Sequence, residues 1–186
     1  MSSAASVCGD ERFRLFCALT LPVEALDALE EWQREALAGE NARLVGRDQL
    51  HVTLAFLGGR PAAEVQSIAG ALRESVGAVV GELVFRPLRY RETRSVGMLV
   101  LEDEARLARA LAEELHGRLE RLGVYRREAR PWLPHVTVLR LRQRSRLAPE
   151  LPRLGEFSPS EAAVYHSVLR PTGAQYEVLD RIALGG

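Results

Sequence analysis

The chain contains no lysine: all of its 25 basic residues are arginine, and 25 acidic residues bring the formal net charge to zero. That balance excludes a protein that holds polyanions non-specifically through its overall charge. The missing lysine reads as genome composition and carries no functional meaning. Cysteine is nearly absent. Cys8 lies in a small-residue tail and Cys17 in an apolar run, too few and too far apart for a disulfide framework or a cysteine zinc site, so both are expected to be inert thiols. No apolar run approaches the roughly 20 residues a membrane-spanning helix requires. Residues 1–12 lack the basic-then-apolar order of a signal peptide, so a cytoplasmic location is expected. What is present is 186 residues, 47% hydrophobic and 27% charged, enough to bury one core.

One short motif occurs twice. His51-Val52-Thr53-Leu54 returns as His135-Val136-Thr137-Val138. Both copies stand in strand-like runs, where positions i and i+2 share a face. Each copy therefore presents an imidazole beside a hydroxyl and turns its aliphatic residues toward a core. Phe56 is expected to follow Val52 and Leu54 into that core. Two imidazoles brought to one cleft can act as general base and general acid, the pair of proton transfers needed to open a strained phosphate ester. The Thr hydroxyls are suited to donate to non-bridging phosphate oxygens. Neither motif contains a carboxylate, and there is no HExxH or cysteine cluster, so the scheme calls for no metal and no cofactor.

The elements around the motifs repeat as well. Residues 13–21 read as a strand stopped by Pro22, followed by a helix through Leu26, Leu29, Trp32 and Leu37 that ends near Gly39. Residues 50–57 form the first motif strand, closed by Gly58-Gly59, and residues 61–79 a second helix. After a strand at 82–90 the order recurs: strand 96–101, helix 103–122 and motif strand 134–141. Residues 162–169 and 175–184 supply two more strands around the turn Pro171-Thr172-Gly173. The expected fold is α+β: two pseudo-symmetric lobes related by an approximate twofold axis, each an antiparallel-rich sheet with helices on its outer face and a cleft between them. Residues 1–12 are expected to be a flexible tail and 13–186 a single two-lobed domain.

Charge is uneven along the chain. Between Arg126 and Arg146 there are seven arginines against Glu128 alone, and the second motif lies inside this stretch. It is either a solvated basic face or a positive wall beside a phosphate site. His116, in a helix, and His166, in a late strand without a matching Thr, read as structural.

These segments resemble the two-histidine phosphoesterases, and among them the RNA 2′,3′-cyclic phosphodiesterases also described as 2′-5′ RNA ligases. The resemblance is carried by Arg14 to Pro22 (RLFCALTLP), His51 to Gly58 (HVTLAFLG), Arg130 to Arg140 (RPWLPHVTVLR), and Tyr165 to Leu169 followed by Pro171, Gly173 and Tyr176. It implies hydrolysis of a 2′,3′-cyclic phosphate on an RNA end or nucleotide to a 2′-phosphate, with His51 as proton donor to the 3′ oxygen and His135 as acceptor from water. It also implies a reversible 2′-5′ ligation. Nothing in the local sequence fixes which His is donor. Val138 departs from the usual Leu of the second signature. Trp132, between Pro131 and Pro134, either stacks on a base or packs. Arg140 lies five residues after His135, where a regular strand would turn it to the opposite face; only a bulge or the strand end would re-aim it toward substrate. A non-catalytic module that binds RNA ends is the alternative from another class. The expected partners are RNA ends or nucleotides, with no membrane, and the expected state is a monomer.

Overall fold

In the computed structural model, described for residues 11–39, 42–143, 145–171 and 173–185, eight strands and three helices make one α+β unit around a single sheet. Residues 1–10, including Cys8, lie outside the described residues. The strands are β1 (Arg12–Thr20), β2 (Ala42–Leu44), β3 (His51–Pro61), β4 (Arg86–Glu92), β5 (Val96–Glu102), β6 (His135–Leu141), β7 (Glu161–Arg170) and β8 (Gly173–Ala183). The helices are α1 (Val23–Trp32), α2 (Val65–Ala78) and α3 (Leu107–Arg121). Every strand pairing is antiparallel, in the order β4-β5-β6-β3-β1-β7-β8, with β2 on β6.

The two lobes meet side by side. β3 and β6 are the matched motif strands, and they join the lobes through one register pair, Val52 with Val136. A single rung is a weak seam in hydrogen bonds, so the core beneath must hold it. Val52, Val136 and Val138 are fully buried there, and the aliphatic faces of both lobes merge into one cluster with Leu29, Leu72, Leu111 and Leu115. Burying such side chains contributes about 1.5–3 kcal/mol each.

The expected elements form, with informative differences at their ends. β1 begins at Arg12, inside the segment assigned to the tail. β3 does not stop at Gly58-Gly59 but runs on to Pro61; Gly58 sits at φ 68, which a glycine adopts without the Cβ clash of other residues. α1 continues into a π-helical turn from Gln33 to Leu37. α3 begins at Leu107, the first residue of its apolar stripe, and not at Asp103 as expected. The Asp103 carboxylate instead accepts hydrogen bonds from the Ala108 and Arg109 amides. The short β2 had no visible sequence signal.

The helices cross between lobes. α3 follows β5 yet packs on β3, and the turn after α1, which follows β1, packs on β2 and β6. Each lobe is thus braced by the helix of the other half.

Candidate active site

The antiparallel pair Val52–Val136 sets the register of both motifs. One step to either side, His51 stands across from Thr137 and Thr53 across from His135. Their aliphatic neighbours are buried, so these four side chains share the opposite, open face of the seam. The structure thus brings both His–Thr couples into one cleft.

Both imidazoles are tethered alike. His51 donates Nδ1–H to the Gln49 carbonyl at 2.8 Å and His135 donates Nδ1–H to the Leu133 carbonyl at 2.9 Å, each two residues back. Pinning Nδ1 leaves Nε2 of each ring to face the cleft. His51 Nε2 lies 3.0 Å from Thr53 Oγ1. The Gln49 side chain in turn bonds to the Ala174 carbonyl of β8, which fixes the segment leading into β3.

The surroundings of the two rings differ. His51 leans on an aromatic wall, with ring centroids 5.1 Å from Phe16 and 5.5 Å from Tyr176, while Phe16 and Tyr165 stack at 5.0 Å behind it. Burial in this wall pushes the His51 pKa down to about 4, and the charges of His135 and Arg140 add to the depression; the bond to Gln49 opposes it. His51 is therefore neutral near pH 7 in the free protein. His135 instead opens on a cavity of about 500 Å³ lined by Thr53, Phe56, Trp132 and four arginines, Arg89, Arg91, Arg127 and Arg130. Arg91 pairs with Met98 and Met98 with Thr137, so the β4 arginines lie in register with the second motif. Glu113 and Glu128 also line this cavity. Part of the basic stretch is thus cavity wall, while Arg142 and Arg146 are exposed elsewhere and Arg144 lies outside the described residues.

Two residues stand where regular alternation would not put them. In β3, Cys17 pairs with Ala55 but Ala18 with Thr53, so Leu54 is an extra residue in the ladder. In β6, Gly97 pairs with Leu139 but Met98 with Thr137, so Val138 is the extra residue. The two bulges occupy the same motif position, and each shifts the alternation by one residue. Phe56, expected in the core, is therefore 63% exposed and lines the cavity. Arg140 is re-aimed by the same device, exposed and close enough to act on His51. Trp132 does not simply pack: it lines the cavity, and its Nε1–H donates to the Thr53 carbonyl at 3.0 Å, tying the approach of β6 to β3.

His166 stacks on Phe13 at 4.4 Å with Glu177 nearby, and His116 is buried with Nε2 bonded to the Leu54 carbonyl. Gln33, a lone Gln after a helical stripe that gave no sequence signal, is buried and donates to the Val45 and Val138 carbonyls. Cys17 is buried, and its thiol pKa is pushed up to about 12, so it is inert at neutral pH. Among the described residues there is no group of three or more His, Cys, Asp or Glu side chains placed to hold a metal ion, and no helix long and apolar enough to cross a membrane.

The profile of the 2′-5′ RNA ligase superfamily matches residues 21–171, most of the chain and both motifs. The chain belongs to that superfamily. Among its relatives, the RNA 2′,3′-cyclic phosphodiesterase of Thermus thermophilus is 33% identical over 192 residues, covering 93% of this chain and 91% of that protein. The RNA 2′,3′-cyclic phosphodiesterase of Escherichia coli is 29% identical over 174 residues, covering 92% and 96%. The superfamily fold is borne out in three dimensions as well. The crystal structure of E. coli LigT complexed with 3′-AMP superposes with a TM-score of 0.78 at 25% identity, covering 95% of this chain and all of that one.

Proposed function

We propose that this superfamily member is an RNA 2′,3′-cyclic phosphodiesterase that converts a terminal 2′,3′-cyclic phosphate to a 2′-phosphate by acid and base catalysis from His51 and His135. The observation that carries this reading is the registered set His51, Thr53, His135 and Thr137 on one open face, with each Nδ1 tethered and each Nε2 directed to the cleft. The curated relatives that cover most of the chain bear that activity as their name.

Water attacks phosphorus and forms the new P–O bond while the bond to the ribose 3′ oxygen breaks. One imidazole takes the proton from water and the other gives a proton to the departing oxygen, leaving the 2′ ester in place. Thr53 and Thr137 donate to the non-bridging oxygens, and Arg140 offsets charge that develops there. The resemblance assigns His51 as the donor, yet in the free protein His51 is held neutral. The bound phosphodiester resolves this: its negative charge beside the ring opposes the desolvation and the charge of Arg140, so substrate loads the donor with its proton. His135, open to the cavity, accepts from water. Phe56 and Trp132 offer ring faces to a base, and Arg89, Arg91 and Arg130 lie where phosphates of a longer RNA end would pass. No metal enters this scheme, since each proton transfer has its imidazole.

The test is incubation of the protein with adenosine 2′,3′-cyclic phosphate in EDTA, followed by product analysis. The expected product is the 2′-phosphate. A 3′-phosphate would overturn the assigned leaving group, activity abolished by EDTA and restored by a metal would overturn the metal-free scheme, and unchanged substrate would favour a module that only binds RNA ends. The superfamily's name motivates a further arm. With a 5′-hydroxyl oligonucleotide in place of water, the same displacement yields a 2′-5′ linkage, so ligated product measures how far the cleft admits an alcohol.

A further inference from the structure

Only three polar side chains in the core of the described residues are buried: Gln33, Ser75 and His116. Ser75 bonds within its own helix, to the Ala71 carbonyl. The other two reach far along the chain. His116 Nε2 donates to the Leu54 carbonyl at 2.8 Å, and Gln33 Nε2 donates to the Val138 carbonyl at 2.7 Å and the Val45 carbonyl at 3.0 Å. Leu54 and Val138 are bulged residues at the same place in the two motifs; β3 carries a second register shift at Leu57, just past Phe56. A bulge leaves an unpaired group in the ladder, and a buried carbonyl left without a donor is costly. Each bulge carbonyl receives a side-chain donor from the helix that crosses over from the other half: His116 from α3 reaches Leu54, and Gln33 from the π-helical turn after α1 reaches Val138, whose carbonyl also accepts the Val45 N–H at 3.1 Å.

We infer that Gln33 and His116 are a pseudo-symmetric pair of positioning residues that hold the two motif bulges and, through them, aim Arg140 and Phe56 into the cleft. The inference rests on the proposed function of that cleft. Without the bulge, one step of regular pairing would carry Phe56 or Arg140 toward the core side of the sheet. Phe56 and Arg140 follow the motif His by the same interval, so one device serves two ends: an aromatic face on one lobe and a guanidinium on the other. Burial among Leu54, Tyr125 and the helix holds His116 below the ordinary imidazole value, which keeps it a neutral ring with its Nε2 proton committed to the bulge. The widened helical turn that begins at Gln33 presents its amide to both acceptors, as π turns often do at functional places.

Double-mutant cycles on adenosine 2′,3′-cyclic phosphate test this, with melting temperature recorded throughout. His116→Leu should raise KM about tenfold in the wild-type background and less than about twofold in Phe56→Ala. Gln33→Leu should lower kcat about tenfold in the wild-type background and less than about twofold in Arg140→Ala. The crossed pairs, His116 with Arg140 and Gln33 with Phe56, should multiply. If the matched pairs multiply as the crossed pairs do, the inference fails, since a general loss of stability would act alike in all four. Should a Leu variant not fold, amides decide: His116→Gln keeps a reaching donor and should keep the wild-type KM, whereas the shorter His116→Asn should not, and equal KM values for the two would overturn the inference. Wild-type protein that leaves the nucleotide intact would sink the proposed reaction instead; the same cycles, read in the Kd for 3′-AMP, then test the positioning.

Discussion

Lowering the pH should destabilise this protein through His51, by an amount the site's surroundings set. An unfolded imidazole titrates near pH 6.5, whereas the aromatic wall holds the folded His51 at about 4. Between those values the unfolded chain binds the proton more readily than the folded one. The preference for the neutral ring thus stabilises the fold fully above about pH 6.5, and the contribution is lost as pH falls toward 4. Between pH 8 and pH 5 the loss is about 2 kcal/mol. For a chain of this length that corresponds to roughly 4–8 °C in Tm. Other groups titrate over the same range, so the comparison is with His51→Gln, which retains a polar side chain but takes up no proton. The Tm advantage of wild type over His51→Gln, measured by thermal denaturation, should shrink by that amount from pH 8 to pH 5. At pH 5, added inorganic phosphate should restore more Tm to wild type than to the variant, because the anion favours the charged ring. A wild-type advantage that stays within about 1 °C across the range would refute the argument that burial controls this imidazole, and with it the idea that substrate loads the proton donor.

His51→Ala and His135→Ala should each lower turnover of a nucleoside 2′,3′-cyclic phosphate by at least about a hundredfold, and residual activity within tenfold in either steady-state assay would remove that residue from proton transfer. The rate should depend on pH as a bell; the pKa assigned to His51 should lie near 4 in kcat/KM, which reports the free protein, and higher in kcat, which reports the complex. Phe56→Ala should act mainly on KM and Arg140→Ala mainly on kcat, a split that initial-rate kinetics over a range of substrate concentration will read. Gly97→Ala should cost about 1–3 kcal/mol in chemical denaturation, because the added Cβ would run into the Tyr90 hydroxyl and crowd Leu139 beside the second bulge.

The matched motifs, their alternation and the repeated order of strand, helix and motif strand were legible in the chain itself. These are local patterns, in which a side chain's face follows from its neighbours two residues away. They sufficed to place His51, Thr53, His135 and Thr137 together, because a duplicated unit whose aliphatic residues must share one core leaves its polar residues on the other face. The same rule misassigned Phe56 and left Arg140 open, since it presumes an unbroken ladder. A bulge belongs to a pair of strands, and here each receives a side-chain donor from the opposite half of the chain, Gln33 for Val138 and His116 for Leu54. The aromatic wall behind His51 has the same character. Phe16 comes from β1 while Tyr165 and Tyr176 come from the β7–β8 hairpin at the far end of the chain, and only their pairing makes one imidazole dry while its twin faces an open cavity. Which residues share the open face of the seam followed from local sequence; where the second row of side chains points, and how the two histidines come to differ, was decided by contacts that exist only once the sheet has closed.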